Sequence, residues 1–465
     1  MVLRTGPHLI VSTGPLLAVD LDRRRPLGRQ LEQQLRALIA SQGLPVGALL
    51  PSTRALATDL GVSRGVVVGA YAQLGAEGSI VLRRGAAPMV AAAPREPEPA
   101  PPFPDVAVAA MRFNLRPDLP DLALFPRAEW LAACRASLNH AANTDLAYGE
   151  PFGAIELRRR LAPFLARTRG LVATAERTGV CAGSTQGLFA LATIVRELGG
   201  ARIAVEDPGH RWRTRALAAS GLEVVPVPVD EEGLRVDLLG DAAAIVVSPD
   251  HQFPLGAALS PGRRRALVEW ATRGDRLVIE HDYDGWLRYD RNPPAALQSL
   301  APEHVVYVGS ASSMLVPTLR LGWAVLPARL VVPFANHVFA HGIATPRLTQ
   351  LALAELIARG YLERHLRRVR AAYRRRREHA CAALARLPRE ARIVGVPAGL
   401  FVAVSLLDDT AEESLLALAR ERGIAVDGVG EHALIPQPPG LAVGFAALPE
   451  PTLERAIREL IRCFP

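Results

Sequence analysis

Two kinds of chemistry can be read from residue types and their spacing. The first is anion binding. Ala182-Gly183-Ser184-Thr185-Gln186-Gly187 brings two hydroxyls and a run of backbone N–H groups to the start of a helix-forming stretch, and free N–H groups at a helix N-terminus attract phosphate. Ser52-Thr53-Arg54 and Ser63-Arg64 set a guanidinium beside a helix start in the same way. Such groups can meet phosphate, or fork onto guanine O6 and N7 in a major groove. The second is a chemistry withheld. All 54 residues counted as Lys+Arg are arginine, and no lysine occurs in the 465 residues. A carbonyl cofactor is attached covalently through a side-chain primary amine, so no side chain here can hold one that way. Between these features lies Glu280-His281-Asp282-Tyr283-Asp284, closing an apolar run. If it ends a strand, alternation puts His281 and Tyr283 on one side and Asp282 on the other.

The elements that position these groups must come from a large core. The chain is 49% hydrophobic and 22% charged, which is ordinary for a globular protein, and its length suggests two or three domains. A net charge of +8 is compatible with a polyanion partner. Cys134, Cys181, Cys381 and Cys463 are too scattered for a zinc site or a disulfide framework, so a reducing cytoplasm and no metal are expected. No apolar run of membrane-spanning length and no secretory leader pattern occurs, so secretion and membrane insertion are not expected.

Residues 1 to about 20 lack periodicity and read as a loose arm. From Pro26, Leu27, Leu31, Leu35, Leu38 and Ile39 recur at helical spacing. Ser52 is placed to cap a second helix and Ser63 a third, the latter burying Val66, Val67, Ala70, Tyr71 and Leu74. Ser79 to Gly85 reads as a short hairpin with a basic tip. Three short helices and a basic hairpin form a winged helix-turn-helix pattern. The run Leu50-Pro51-Ser52-Thr53-Arg54-x-Leu56-Ala57, then Gly61-Val62-Ser63-Arg64 and Ala70-Tyr71, resembles the GntR-type DNA-binding domain. The resemblance implies that Ser52, Arg54, Ser63, Arg64, Arg84 and Gly85 face double-stranded DNA. Gly65, Val66 and Gly69 depart from the polar residues usual in the third helix, and two interior glycines each cost about 1 kcal/mol relative to alanine.

A proline-rich stretch over 93–110 reads as an extended, semi-rigid linker. It separates a winged helix over 20–92 from a domain over 111–465. In the latter, apolar runs at 203–205, 224–227, 244–247, 277–279 and 305–308 alternate with helical patterns, which predicts an α/β fold with a mostly parallel sheet flanked by helices. A smaller α/β lobe should follow the long helices that start near Thr345. The arginine run from Arg364 to Arg377 reads as a solvated helix face. The markers Arg116-Pro117-Asp118-Leu119-Pro120-Asp121, Tyr148-Gly149-Glu150-Pro151-x-Gly153 and Val306 to Met314 resemble the aminotransferase-like domain of MocR-type regulators, a fold-type I architecture.

That resemblance assigns the pocket residue by residue. Ser313 stands where the family carries its pyridoxal-phosphate lysine, and His281 where it carries the aspartate that pairs with the pyridine nitrogen. Gly183, Ser184, Thr185, Ser310, Ser312 and Arg320 match the phosphate cradle. His210 replaces a stacking tyrosine, His251 and Gln252 line the pocket, and Tyr283 would face the ring hydroxyl. No arginine near Gly444 to Ala447 is evident to grip a substrate carboxylate. The implied protein is a cytoplasmic DNA-binding regulator, a homodimer arranged head to tail, with no catalytic residue and no covalent cofactor. Its large domain would sense a small anionic effector, with pyridoxal or pyridoxamine phosphate held non-covalently as one such ligand. The alternatives are a regulator whose large domain is a scaffold binding no cofactor and, least supported, an active aminotransferase.

Overall fold

The computed structural model describes residues 8–9, 18–41, 43–83, 85–91, 111–290, 292–342, 345–388, 391–406 and 412–464. The linker expected at 93–110 lies outside the described residues, as does Arg84. The chain divides into two compact units, 1–103 and 104–465.

In the first unit, α1 (Leu27–Ala40), α2 (Thr53–Leu60) and α3 (Arg64–Ala76) are followed by an antiparallel pair, β1 (Ile80–Val81) and β2 (Met89–Val90). Leu31, Leu35 and Ile39 of α1 pack with Leu56 and Ala57 of α2 and with Val67, Ala70, Tyr71 and Leu74 of α3. Each set follows the helical repeat, so every helix turns one stripe inward. Ser52 caps α2, accepting from the Ala55 amide at 3.2 Å, and Gly61 ends it at φ +61°, a backbone state glycine adopts without steric cost. The Tyr71 hydroxyl donates to the Pro51 carbonyl at 3.0 Å, and Arg36 forks onto Glu77. Two readings change. Ser63 occupies the N-cap position of α3, but its side chain makes no capping bond. The expected arm is not loose at its end: His8–Leu9 and Ala18–Val19 form an antiparallel pair, Val19 is buried in this core and the Asp20 amide is held by Gln34.

The second unit holds an eight-stranded sheet. Its strands are β3 (Thr178–Cys181), β4 (Arg202–Asp207), β5 (Glu223–Asp230), β6 (Gly233–Leu234), β7 (Ala244–Val247), β8 (Leu277–Asp282), β9 (Val305–Ser310) and β10 (Gly322–Val325), in the order β3-β10-β9-β8-β7-β4-β5-β6. Strands β5, β4, β7, β8 and β9 run parallel, and β10 and β6 are antiparallel to their neighbours. Helices α5 (Ile155–Arg169), α6 (Ser184–Glu197), α7 (Arg211–Ala219), α8 (Pro261–Arg273) and α9 (Val331–Ala340) pack on it, and α4 (Arg127–His140) packs on the later helix over Arg347–Ala358. Separate apolar clusters cover its two faces, one with Leu188, Leu191, Ile203 and Val246, the other with Ala204, Ile245, Val278 and Leu267. Burial on both faces is why the central strands β4, β7, β8 and β9 read as unbroken apolar runs; β5 is mostly half-buried. After α10 (Arg347–Ala358) and α11 (Tyr361–Leu384) comes a four-stranded antiparallel sheet of β11 (Ala391–Val394), β12 (Phe401–Leu406), β13 (Asp427–Gly428) and β14 (Gly440–Gly444), with helices α12 (Glu412–Glu421) and α13 (Glu450–Ile461).

Candidate functional site

The predicted pocket residues of the second unit gather beyond the carboxyl ends of β3, β4, β7, β8 and β9, where ligands bind in open α/β sheets. Gly183 is the N-cap of α6 at φ +86°. A Cβ there would lie 3.1 Å from the Arg320 guanidinium, and one on Gly322 would lie 2.7 Å from the Gly183 backbone, so two glycines let the loop, β10 and Arg320 converge. Arg320 is exposed, with one Nη donating to the Ala182 carbonyl at 3.0 Å. No carboxylate pairs with it among the described residues. It is also one of two non-glycine residues there with positive φ, at +49°, a state that costs energy and clusters at ligand sites. The Gln186 Nε2 amide is buried beside the loop with no hydrogen-bond partner among the described residues. The Ser184 and Thr185 hydroxyls stand in the same first turn of α6. A groove of about 420 Å³, lined by Trp130, Cys134, Leu319, Pro346 and Leu348, opens at Arg320. Arg320, the Gln186 amide and the α6 hydroxyls are hydrogen-bond donors gathered around Gly183, and residue type and spacing did not mark Gln186.

The ring end is built differently. The Ser313 hydroxyl donates to the Tyr283 carbonyl and accepts from Trp286 Nε1 at 3.2 Å, so it ties two loops together. The Tyr283 hydroxyl donates to the His251 carbonyl at 2.7 Å. Gln252 spends its amide on the Pro208 and Phe253 carbonyls and on the Leu255 N–H. His251 is held by Asp284 at 2.9 Å. Ser310 is buried, and its Oγ accepts from the Ser312 amide. His210 stacks on Phe253 with centroids 4.0 Å apart and planes 3° apart, and meets Tyr283 edge-on.

His281 is the unexplained member. It is buried beside Tyr283 and Trp212, and neither ring nitrogen has a partner among the described residues. His210 Nε2 and Arg213 Nε, both buried close by, are also unpartnered. Each unmade bond costs about 1–3 kcal/mol in a buried site. Burial, with the Arg213 charge, pushes the His281 imidazole down to about 3. Unfolded histidine therefore takes its proton first, and stability falls as pH drops from about 6.5 toward 3. Replacing His281 by glutamine removes this term, so the melting temperature of the variant relative to the parent should rise on acidification through that window. The limiting slope is about 1.4 kcal/mol per pH unit. A gap that stays constant with pH would contradict it. Glu206 and Glu280, pushed up to about 7 by burial, are common to both proteins and cancel in the comparison.

Asp282 faces away from His281, as alternation requires. It accepts from Arg169 Nε at 2.6 Å, the Tyr307 hydroxyl at 2.7 Å and the Gly285 amide at 2.7 Å. Burial raises its carboxyl, but Arg169 and these bonds outweigh that and hold it below its ordinary value. Arg169 also pairs with Asp250, and Arg264 with the other Asp250 oxygen. Arg169→Leu would leave a buried carboxylate without its cation and should destabilise the protein by about 3–5 kcal/mol in urea unfolding. A loss below about 1 kcal/mol would show that Tyr307 and Gly285 suffice. The segment near Ala446 is reached by an arginine from far away: Arg376, buried and paired with Asp121 at 2.7 Å, donates to the Ala446 carbonyl.

In the first unit, Ser52, Arg54, Ser63, Arg64 and Gly85 are all exposed, at the starts of α2 and α3 and at the hairpin tip. Arg64 Nε donates to Thr53 Oγ1 at 3.3 Å, joining the two helix starts. Gly85 turns the tip at φ +83°, with nothing near a Cβ placed there. Arg83 is exposed on the same tip and was not singled out from sequence. Gly65 and Gly69 lie on the exposed side of α3 in open space. Their cost is borne by helix propensity alone.

A winged helix with arginines at two helix starts, joined to a fold-type I aminotransferase-like domain, defines a DNA-binding regulator built on an enzyme fold. The comparisons agree. Residues 27–90 match the bacterial regulatory proteins of the gntR family, and residues 120–460 match aminotransferase class I and II. The chain is 34% identical over 454 residues to the HTH-type pyridoxine biosynthesis transcriptional regulator PdxR of Corynebacterium glutamicum, covering 96% of this chain and 98% of that protein. It is 29% identical to the probable rhizopine catabolism regulatory protein MocR of Rhizobium meliloti, covering 97% and 96%. Among solved structures, LysN, the alpha-aminoadipate aminotransferase of Thermus thermophilus, aligns at TM-score 0.69 and 25% identity over 77% of this chain and 92% of that one. The chain belongs to the MocR-type GntR regulators, and it is a DNA-binding transcriptional regulator with an aminotransferase-like domain. No helix among the described residues is long and apolar enough to cross a membrane.

Proposed function

We propose that the second unit is a non-catalytic sensor that reads a small phosphorylated ligand and passes its occupancy to the DNA-binding unit. The observation that carries this reading is the oxyanion cradle: Arg320 in a left-handed backbone state beside Gly183, with an unpartnered Gln186 amide and the Ser184 and Thr185 hydroxyls. Pyridoxal phosphate and pyridoxamine phosphate are the ligands the fold suggests, and the residues present fit their phosphate. At the ring end, His281 is neutral and has an N–H to give. That suits a pyridine nitrogen without a proton and not the protonated ring a carboxylate would hold. When bound to an enzyme, this cofactor supplies an electron sink and a carbonyl for covalent attachment. With no lysine and no carboxylate facing the ring nitrogen, this chain supports neither, so it binds the ligand without transamination.

In the same reading the regulator is a cytoplasmic homodimer arranged head to tail. Exposed Leu131, Leu138, Leu146, Tyr148 and Leu348 on and near α4 and α10 support a partner subunit. Arg54, Ser63, Arg64, Gly85 and Arg83 would meet phosphates and base edges of duplex DNA. The test is retardation of the DNA upstream of the protein's own gene, with and without pyridoxamine phosphate. A ligand-dependent change in affinity is expected, and identical curves would reject sensing. A second reading, a scaffold that binds no cofactor, is favoured by one set of observations: Ser313, Tyr283, Gln252 and His251 are already engaged by the backbone, Trp286 or Asp284. Titration with both vitamers separates the two.

A further inference from the structure

The basic run on α11 is not absorbed by either unit's role so far. Helix α11 carries eight arginines against two glutamates in 24 residues, while the formal charge of the whole chain is +8. The structure sorts the eight. Arg376 is buried against Asp121, Arg370 is half-buried and donates to the Arg288 carbonyl, and Arg377 is half-buried. The remaining five, Arg364, Arg367, Arg368, Arg374 and Arg375, are exposed. Their spacing confines them to one face of the helix, roughly a third of its circumference at 3.6 residues per turn. Ala371, in the middle of that face, is exposed and small. Arg375 lies 3.9 Å from Glu450. Arg364, Arg367, Arg368 and Arg374 form no ion pair with a carboxylate among the described residues, and Glu363 of the same helix is taken by Arg167. An ordinary solvated face mixes charges of both signs. Here like charges stand at i,i+3 and i,i+4, which costs a helix a few tenths of a kcal/mol per pair.

We infer that this face of α11 is a second DNA contact, sequence-independent and carried by the aminotransferase-like domain itself. The chemistry fits a rod-shaped polyanion. Residues 364 to 374 span about 15 Å of helix, and duplex DNA presents one phosphate charge per roughly 1.7 Å of axis. Guanidinium groups on a straight helix can therefore each reach a phosphate oxygen. DNA is the polyanion a transcriptional regulator meets. Arg364, Arg367, Arg368 and Arg374 are held by no acidic side chain among the described residues, so they bind phosphate without first breaking an ion pair.

The test compares the full-length protein with the Arg367→Ala/Arg368→Ala/Arg374→Ala variant on a duplex of arbitrary sequence, about 40 base pairs long, across a series of NaCl concentrations. Counterion release makes log K fall with log salt by about 0.9 per phosphate neutralised. The triple variant should lose roughly 2.7 from that slope per protomer engaged, and at least about tenfold in affinity near 0.1 M salt. Alanine favours helix and all three positions are exposed, so the fold should survive, as circular dichroism would report. The corresponding triple lysine variant keeps the charge and should keep both slope and affinity. A parental slope in the alanine variant, or equal losses in the lysine and alanine variants, would overturn the inference.

Discussion

Replacing Arg54 and Arg64 together by alanine should abolish retardation of target DNA at physiological salt. Both guanidiniums are exposed at helix starts, where the backbone N–H groups of α2 and α3 add to their field. Each is worth about 1–3 kcal/mol if it forks onto a base, and each phosphate contact contributes to non-specific affinity as well. Together the two substitutions should weaken binding by roughly 2–6 kcal/mol, about 30-fold to more than 10,000-fold. Stability should hardly change, because the one hydrogen bond removed, from exposed Arg64 to Thr53 at 3.3 Å, is long and solvent-exposed. Retardation at the parental concentration, in a variant that melts normally, would remove the winged helix from DNA recognition.

The second large effect is expected at Arg320. It brings a full positive charge to the cradle, and its guanidinium lies over Gly183 rather than against an acid. A charge-assisted fork from arginine to phosphate is about twice as strong as a neutral bond. Its loss to alanine should cost about 2–4 kcal/mol, a fall of roughly 30- to 1,000-fold in affinity for pyridoxamine phosphate. DNA binding without ligand should be unaffected, which separates this variant from a misfolded one. Equal affinity in the Arg320→Ala protein would show that the phosphate is held elsewhere or is not bound.

Much of this was legible in the chain because it rests on local rules. The parallel strands β4, β7, β8 and β9 are buried on both faces and so read as apolar runs, as does the mostly half-buried β5, whereas β10, only Gly322-Trp323-Ala324-Val325, gave no such signal. The alternation argument placed Asp282 opposite His281, but its partners Arg169 and Tyr307 come from distant elements that no spacing reveals. The same holds for Arg376. Within an arginine run it looks like its neighbours, yet it turns inward to Asp121, 255 residues away. The pocket's residue types could be named from sequence, but not how their hydrogen bonds are spent. Gln252 and Ser313 are committed to backbone and Trp286, while His281 and Gln186 are left with unmet groups. Val19 shows the limit at the other end. One apolar residue in an aperiodic arm carries no pattern, yet it fills the winged-helix core.

The most direct measurement is calorimetric titration of the purified protein with pyridoxal phosphate and, separately, with pyridoxamine phosphate. Covalent attachment distinguishes an aldehyde from an amine, and a phosphate cradle does not. The predicted result is binding of both ligands with similar affinity, no borohydride-stable adduct with the aldehyde, and loss of both signals in Arg320→Ala. Absence of heat and of any thermal shift with either ligand would contradict the sensor account and leave the aminotransferase-like domain as a scaffold.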